Sequence, residues 1–111
     1  MGGKRGDVLR GTLDLMILRT LQLEPMHGYG IAQRLEQITA GAVDASPGSF
    51  FPALYRLEQH GWIRGRWGAS ENGRRARYYS LTAAGRRQLG VEKRNWDRIT
   101  LAIERVLRAT E

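Results

Sequence analysis

Apolar positions recur along the chain in three helical patterns ahead of two alternating segments, with a fourth helical pattern behind them. From about Asp7 to Leu23, Leu9, Leu13, Met16, Ile17 and Leu21 fall on one side at i, i+3, i+4 spacing, while Leu15 and Leu18 fall on another. A helix apolar on two sides needs cover on two sides, and in so short a chain the second cover is expected to be another subunit. Pro25 ends this helix, because the residue before a proline is disfavoured in helical geometry. A second helix is expected from His27-Gly28-Tyr29-Gly30 to about Thr39, with Ile31, Leu35 and Ile38 on its inner face. Two glycines near a helix start are costly to order, which points to close backbone approach there.

After a loop at 41–45, Ser46-Pro47 reads as an N-cap followed by proline at the first helical position. A start at Ser49, with Pro52 in the first turn, fits equally well. In either case Phe50, Ala53, Leu54 and Leu57 form the buried face, and Ser49, Pro52, Tyr55, Arg56 and Gln59 lie around the outside. Gly61 ends the helix as a C-cap residue. Trp62 to Trp67 and Arg75 to Leu81 then alternate with period two, and the loop between them, residues 68–74, carries the turn signal Asn72-Gly73. A lone hairpin is unstable in water, so it must lie against the helices. Thr82 caps a last helix from Ala83 to about Ala109, whose stripe of Leu89, Trp96, Ile99, Ile103 and Val106 comes close to a heptad seam.

These elements predict a mainly α fold with a small β-hairpin wing. A flexible basic arm (1–6) precedes a winged helix-turn-helix (7–82), and a long C-terminal dimerisation helix (83–111) follows it. The last helix is too long to bury its stripe on a body of three short helices, so it is expected to pair with its twin. The expected dimer interface is Leu13, Met16 and Ile17 of the first helix with Leu89, Trp96, Ile99, Ile103 and Val106 of the last. Trp96 has two readings: a packed interface ring, or a wall of a pocket for a flat aromatic ligand.

Charge sharpens the picture. The 111 residues carry a net charge of +7, which favours a polyanionic partner. Between Arg56 and Arg87 lie eight arginines, no lysine and only Glu58 and Glu71, a local surplus of +6. Arginine presents a planar fork of donors suited to phosphate and to guanine edges. A compact helix followed at once by an arginine-rich hairpin is the arrangement with which a winged helix reads double-stranded DNA. Alone, the helix also fits a plain amphipathic surface element; the hairpin and the dimer seam give it a recognition role. The residues expected at DNA are Ser46, Gly48, Ser49, Tyr55 and Arg56 on the helix, with Arg74, Arg75 and Arg77 on the wing.

Other chemistry finds no support. There is no cysteine, hence no disulfide framework or thiolate. His27 and His60 have no ligand partners at metal spacing, and no Gly-rich phosphate loop or nucleophile beside a base occurs. No catalytic residue, cofactor or metal is expected, and the chain is not expected to be an enzyme. With no apolar run of transmembrane length and no signal-peptide pattern, a soluble cytoplasmic protein without a membrane partner is expected.

In order and spacing, Gly11-Thr12-Leu13-Asp14-Leu15, His27-Gly28-Tyr29, Gly48-Ser49 through Leu57-Glu58, Gly61-Trp62-Ile63, Asn72 through Tyr79, and Leu81-Thr82-Ala83-Ala84-Gly85 resemble the PadR family of bacterial transcriptional regulators. The resemblance covers nearly the whole chain, and its length is similar to the short subgroup with a single dimerisation helix. It implies a homodimeric repressor on a roughly palindromic promoter site, with the third helix in the major groove. It also implies a small aromatic or drug-like effector. Two positions depart from the pattern: Phe51 stands where the family commonly has tyrosine, and Gly30 where it commonly has an acidic residue. The alternative is a winged helix that binds RNA or a protein partner without sequence-specific DNA binding.

Overall fold

A computed structural model describes the backbone of residues 2–43 and 45–110, and side chains from Gly11 onward within those segments. The elements run α1 (Gly2–Leu23), β1 (Met26–His27), α2 (Gly28–Thr39), α3 (Pro47–Gln59), β2 (Ile63–Ala69), β3 (Arg75–Leu81) and α4 (Ala83–Arg108). The helical backbone of α1 thus begins at Gly2 rather than near Asp7. Met1 of the expected arm, the side chain of Leu9, Asp44 of the loop and Glu111 lie outside the described residues.

The start and stop chemistry follows the sequence. The His27 side chain caps α2, its Nδ1 accepting from the Gly30 N–H at 2.9 Å. Ser46 takes extended backbone at the N-cap of α3 and Pro47 opens the helix; the start at Ser49 is not used. Pro52 therefore sits inside α3, on its exposed side, where the missing N–H denies Gly48 its helical donor. Gly61, at φ +75°, releases the chain into β2. The Thr82 side chain caps α4 by accepting from the Gly85 N–H, and donates to the Gly61 carbonyl at 2.7 Å. One side chain thereby ties the start of α4 to the end of α3.

The sheet has three antiparallel strands in the order β1-β3-β2, where the period-two pattern gave only two. β1 pairs Met26 with Tyr79 and His27 with Tyr78. A strand of two residues is too short to show alternation, so periodicity could not reveal it. Its pairing anchors the base of β3 to the start of α2.

α1 runs through the middle of the fold, touching α2, α3, α4 and β3. Ile17 and Leu18 lie on different sides of it, yet both are buried, together with Leu21, Ile31, Leu35, Phe50, Leu54, Leu57, Ile63 and Leu89. This corrects two expectations. The chain itself covers both sides of α1 where Ile17 and Leu18 sit. Ile17 and Leu89, expected at a dimer interface, are 0% and 2% exposed inside one chain and have no surface left for a partner. Ile38 is also misplaced by its pattern: it lies more than half exposed near the end of α2. Leu13 and Met16 are partly buried against the core.

Gly85 shows how tightly α4 meets the sheet. A Cβ added there would run into the Trp62 backbone carbonyl and the Leu81 side chain. Helix propensity favours alanine over glycine by about 1 kcal/mol. Overpacking against a backbone that cannot swing aside costs about 1–3 kcal/mol, and the collision is severe enough that the clash should win. Gly85→Ala is therefore expected to lower the thermal midpoint by several degrees in a calorimetric scan, whereas a rise would show that the contact yields.

Candidate nucleic-acid interface

α3 presents its apolar residues inward and leaves Ser46, Gly48, Ser49 and Tyr55 exposed, Tyr55 by 65%. Nothing lies within 4 Å of the place where a Cβ of Gly48 would stand, so the first turn of α3 is open to a partner's close approach. Phe50 fills the core, while the next ring, Phe51, meets Tyr29 edge-on at 5.8 Å. The Phe51 ring also sits 3.1 Å from the position of a Gly28 Cβ. The close approach expected at the start of α2 is thus an α2–α3 contact.

The wing stands beside this helix. Its turn is held by the Ser70 N–H donating to the Arg74 carbonyl at 2.7 Å and the Gly73 N–H donating to the Ser70 carbonyl at 2.9 Å, with Gly73 at φ +76°. The Tyr78 hydroxyl adds a bond to the Ala69 carbonyl. In the β2–β3 register, Ala69 faces Arg75, Trp67 faces Arg77, Gly65 faces Tyr79 and Ile63 faces Leu81. These pairs share one face of the ribbon, which passes from core at Ile63 to an aromatic and cationic surface at the tip. The Arg75 guanidinium lies over the Trp67 ring at 4.8 Å from its centroid. Arg64 and Arg66 are exposed on the other face.

A groove of about 660 Å³ runs between the start of α2, Phe51 and the wing, walled by Tyr29, Trp67, Arg74, Arg75 and Arg77. The structure thus brings together the wing arginines and Phe51. Ser46, Gly48, Ser49 and Tyr55 lie outside that groove, on the open side of α3. Arg74 and Arg75 are exposed where the sequence suggested.

Two arginines differ from expectation. Arg56 is turned toward α1, where its guanidinium donates to the Asp14 carboxylate at 2.7 Å. Arg77 reaches Glu58 of α3, donating to its carboxylate. Each charge is met by a carboxylate of the same chain, while 31% of the Arg56 side chain and 33% of the Arg77 side chain stay exposed. Partners 42 and 19 residues away leave no mark on local periodicity. The hydrogen bond that it donates to Glu58, before any other influence, holds the Arg77 guanidinium above its ordinary pKa. Burial pushes the Tyr79 phenol up, with the Glu58 charge adding and Arg77 opposing. Of the eight arginines in this stretch, the other six are exposed, so the region remains strongly basic. Trp67, Tyr29 and Glu58 were not among the expected site residues. For Trp67 the signal was available: in an antiparallel hairpin, alternation puts it opposite an arginine.

Helix α3 with its open first turn, flanked by an arginine-tipped hairpin, is the geometry of a winged helix, and a model of the transcriptional regulator PadR-like family matches residues 17–91. The chain belongs to the PadR-like family of transcriptional regulators. Solved structures agree across the length of the chain. A transcriptional regulator from Clostridium thermocellum is 27% identical, with 89% of this chain and 96% of that one covered at a TM-score of 0.80. A Streptococcus transcriptional regulator is 28% identical, covering 91% and 97% at 0.79. A PadR-like transcriptional regulator from Bacillus cereus is 29% identical, covering 93% and 98% at 0.77. The matched stretch runs from the last two turns of α1 into α4, so β1, α2, α3 and both strands of the wing fall wholly inside it. No helix among the described residues is long and apolar enough to cross a membrane.

Proposed function

We propose that this PadR-like regulator is a repressor that binds a roughly palindromic promoter site as a homodimer. The first turn of α3 enters the major groove and the wing tip lies over flanking phosphates or the adjacent minor groove. The observation that carries the reading is the pairing of an open, uncharged first turn, Ser46 to Ser49, with the exposed Arg74 and Arg75. Small hydrogen-bonding residues allow close approach to base edges, and arginines supply the sequence-independent attraction. Ser49→Ala and Tyr55→Ala are expected to erode discrimination between promoter and mismatched sites by about 1–3 kcal/mol for each base that the native side chain reads, while leaving binding to random duplex nearly unchanged. Equal losses on every sequence would assign both residues to the backbone instead. Competition between duplex DNA and total RNA separates this reading from an RNA-binding winged helix, which RNA would displace first.

The homodimer reading rests on α4. Residues 96–110 are all exposed in the single chain, and they include Trp96, Ile99, Ile103 and Val106, the last by 74%. Monomeric soluble proteins rarely leave so continuous an apolar stripe in water. With Ile17 and Leu89 removed, the proposed interface is this stripe together with the partly exposed Leu13 and Met16.

A small planar effector is supported by a shallow groove of about 240 Å³ between α1 and α4, lined by Thr12, Leu15, Glu92, Asn95, Trp96 and Ile99. Trp96 is 41% exposed there and has a face to offer a flat aromatic compound. Planar aromatics are expected to quench its fluorescence, and Trp96→Ala to abolish that quenching while the dimer persists. Quenching that survives in the variant would locate the ligand at Trp62 or Trp67.

A further inference from the structure

Beyond the base of the sheet, little holds the wing at a fixed angle to α3. Ile63 is buried and Leu81 partly so, but from Trp67 round to Arg75 the ribbon is mostly exposed, and β1 reaches only as far as Tyr78. Main-chain bonds fix one strand to the other, yet a twisted two-stranded ribbon still pivots about its base. A reader of DNA that uses a helix and a wing together needs a defined distance between them, because both must meet the duplex at once.

One side chain spans that gap. Arg77 leaves β3 on the inner face of the ribbon and donates to Glu58 in the last turn of α3. Among the described residues this is the one ion pair joining the wing to a helix. Its guanidinium lies 5.7 Å from the centroid of Trp67 and 6.0 Å from that of Tyr79, so aromatic rings bracket the charge. Gly65 makes the path: a Cβ there would collide with Nε, Cζ and Nη2 of Arg77. β2 lacks a side chain at the place where the guanidinium crosses it. Gly65 has no positive φ that would otherwise call for glycine, so passage of Arg77 explains the residue where backbone conformation does not.

We propose that Arg77 is a positioning residue, a strut that crosses β2 at Gly65 to Glu58 and fixes the angle between the wing and α3. It does not itself touch DNA. Arg74 and Arg75 contact phosphates, and Arg77 sets where they stand; through Trp67, which both Arg75 and Arg77 overlie, the strut also steadies Arg75. The inference rests on the DNA-binding reading for its functional consequence but not for its structural one.

The test uses the full-length protein and four variants. Gly65→Ala keeps every charge, improves the intrinsic suitability of the strand, and blocks the path. Arg77→Gln removes one end of the strut. Both are expected to weaken promoter binding about tenfold, because the loosened wing must be ordered on binding, with the slope of log affinity against log salt unchanged, because Arg74 and Arg75 still reach the same phosphates once bound. Were Arg77 neutralising a phosphate, its replacement would lower that slope by about 0.9. Arg77→Glu alone is expected to be weaker still, and combining it with Glu58→Arg to restore affinity to within about threefold of the parent. If Arg77 instead meets phosphate, the reversed pair leaves a carboxylate against the backbone and stays as weak as Arg77→Glu, which overturns the proposal.

Backbone amide exchange across residues 63–81, measured without DNA, is the independent arm. The strut predicts faster exchange at the wing in Gly65→Ala and Arg77→Gln and recovery in the reversed pair; unchanged protection in all of them overturns it. If the parent protein fails to bind promoter DNA at all, the DNA reading falls, and the exchange data still decide the strut.

Discussion

Replacing Arg74 and Arg75 together with alanine is expected to weaken binding to promoter and to random duplex by a similar factor. That factor is about ten to a hundred near 0.1 M salt, or roughly 1.4–2.8 kcal/mol. Both guanidinium groups are exposed, at the rim of a turn held by the Ser70–Arg74 and Gly73–Ser70 bonds, so the structure presents them outward. Neither lies in the core, and folding stability should hardly change. Each phosphate neutralised releases condensed counterions, so removing two such arginines lowers the salt slope by about 1.8. The uniformity across sequences carries the information: phosphates are the same everywhere, whereas base edges are not. Arg75→Ala should also free Trp67 from its stacked partner and shift its emission, an effect absent in Arg74→Ala. Undiminished affinity for random duplex in the double variant would remove the wing from the interface.

If the proposed homodimer forms through α4, Ile99→Lys combined with Ile103→Lys is expected to leave the protein monomeric at micromolar concentration with its helical content unchanged. Both side chains are roughly half exposed on α4 in the single chain, 42% and 51%. Burying an isoleucine fully stabilises by about 1.5 kcal/mol or more. With about half of each side chain left to cover and four isoleucines per dimer, the loss is roughly 3 kcal/mol, or over a hundredfold in dissociation constant. Four lysines brought close to a two-fold axis add repulsion. DNA binding should suffer with assembly, because a second half-site bound through the same dimer acts at an effective concentration near millimolar and raises avidity by about 10²–10⁴. A monomer should keep the weak, salt-sensitive attraction and lose preference for the palindrome. Sedimentation velocity gives the first answer and binding to whole and half sites the second. A variant that still sediments as a dimer would place the interface elsewhere.

The elements of this fold follow from local chemistry that the sequence displays. Ser46-Pro47, Gly61, Asn72-Gly73 and Thr82 each act at the element end where their backbone preferences put them. What the pattern could not give is which neighbour covers a face. Ile17 and Leu18 look as if they need two different covers because they point to two sides of α1, and helix periodicity cannot tell a partner subunit from α2, α3 and α4 of the same chain. Leu89 reads as the first residue of a continuous seam, yet the base of α4 packs on its own domain and only the outer turns project. Charge fares similarly. Arg56, Arg74, Arg75 and Arg77 are equivalent in a composition count, and only tertiary structure separates the two met by Asp14 and Glu58 from the two at the tip. Family resemblance carried the fold further than periodicity did, but it did not assign those four charges.

Sequence-specific recognition of promoter DNA can be read by equilibrium fluorescence anisotropy. The probes are a labelled duplex from the region upstream of the gene and a scrambled duplex of equal composition, each titrated between about 0.05 and 0.2 M salt. The expected result is a preference for the promoter of about 10³ or more, affinity for both duplexes falling steeply with salt, and an inverted repeat with half-sites about one helical turn apart as the protected element. Equal affinity for the two duplexes at every salt concentration would contradict it.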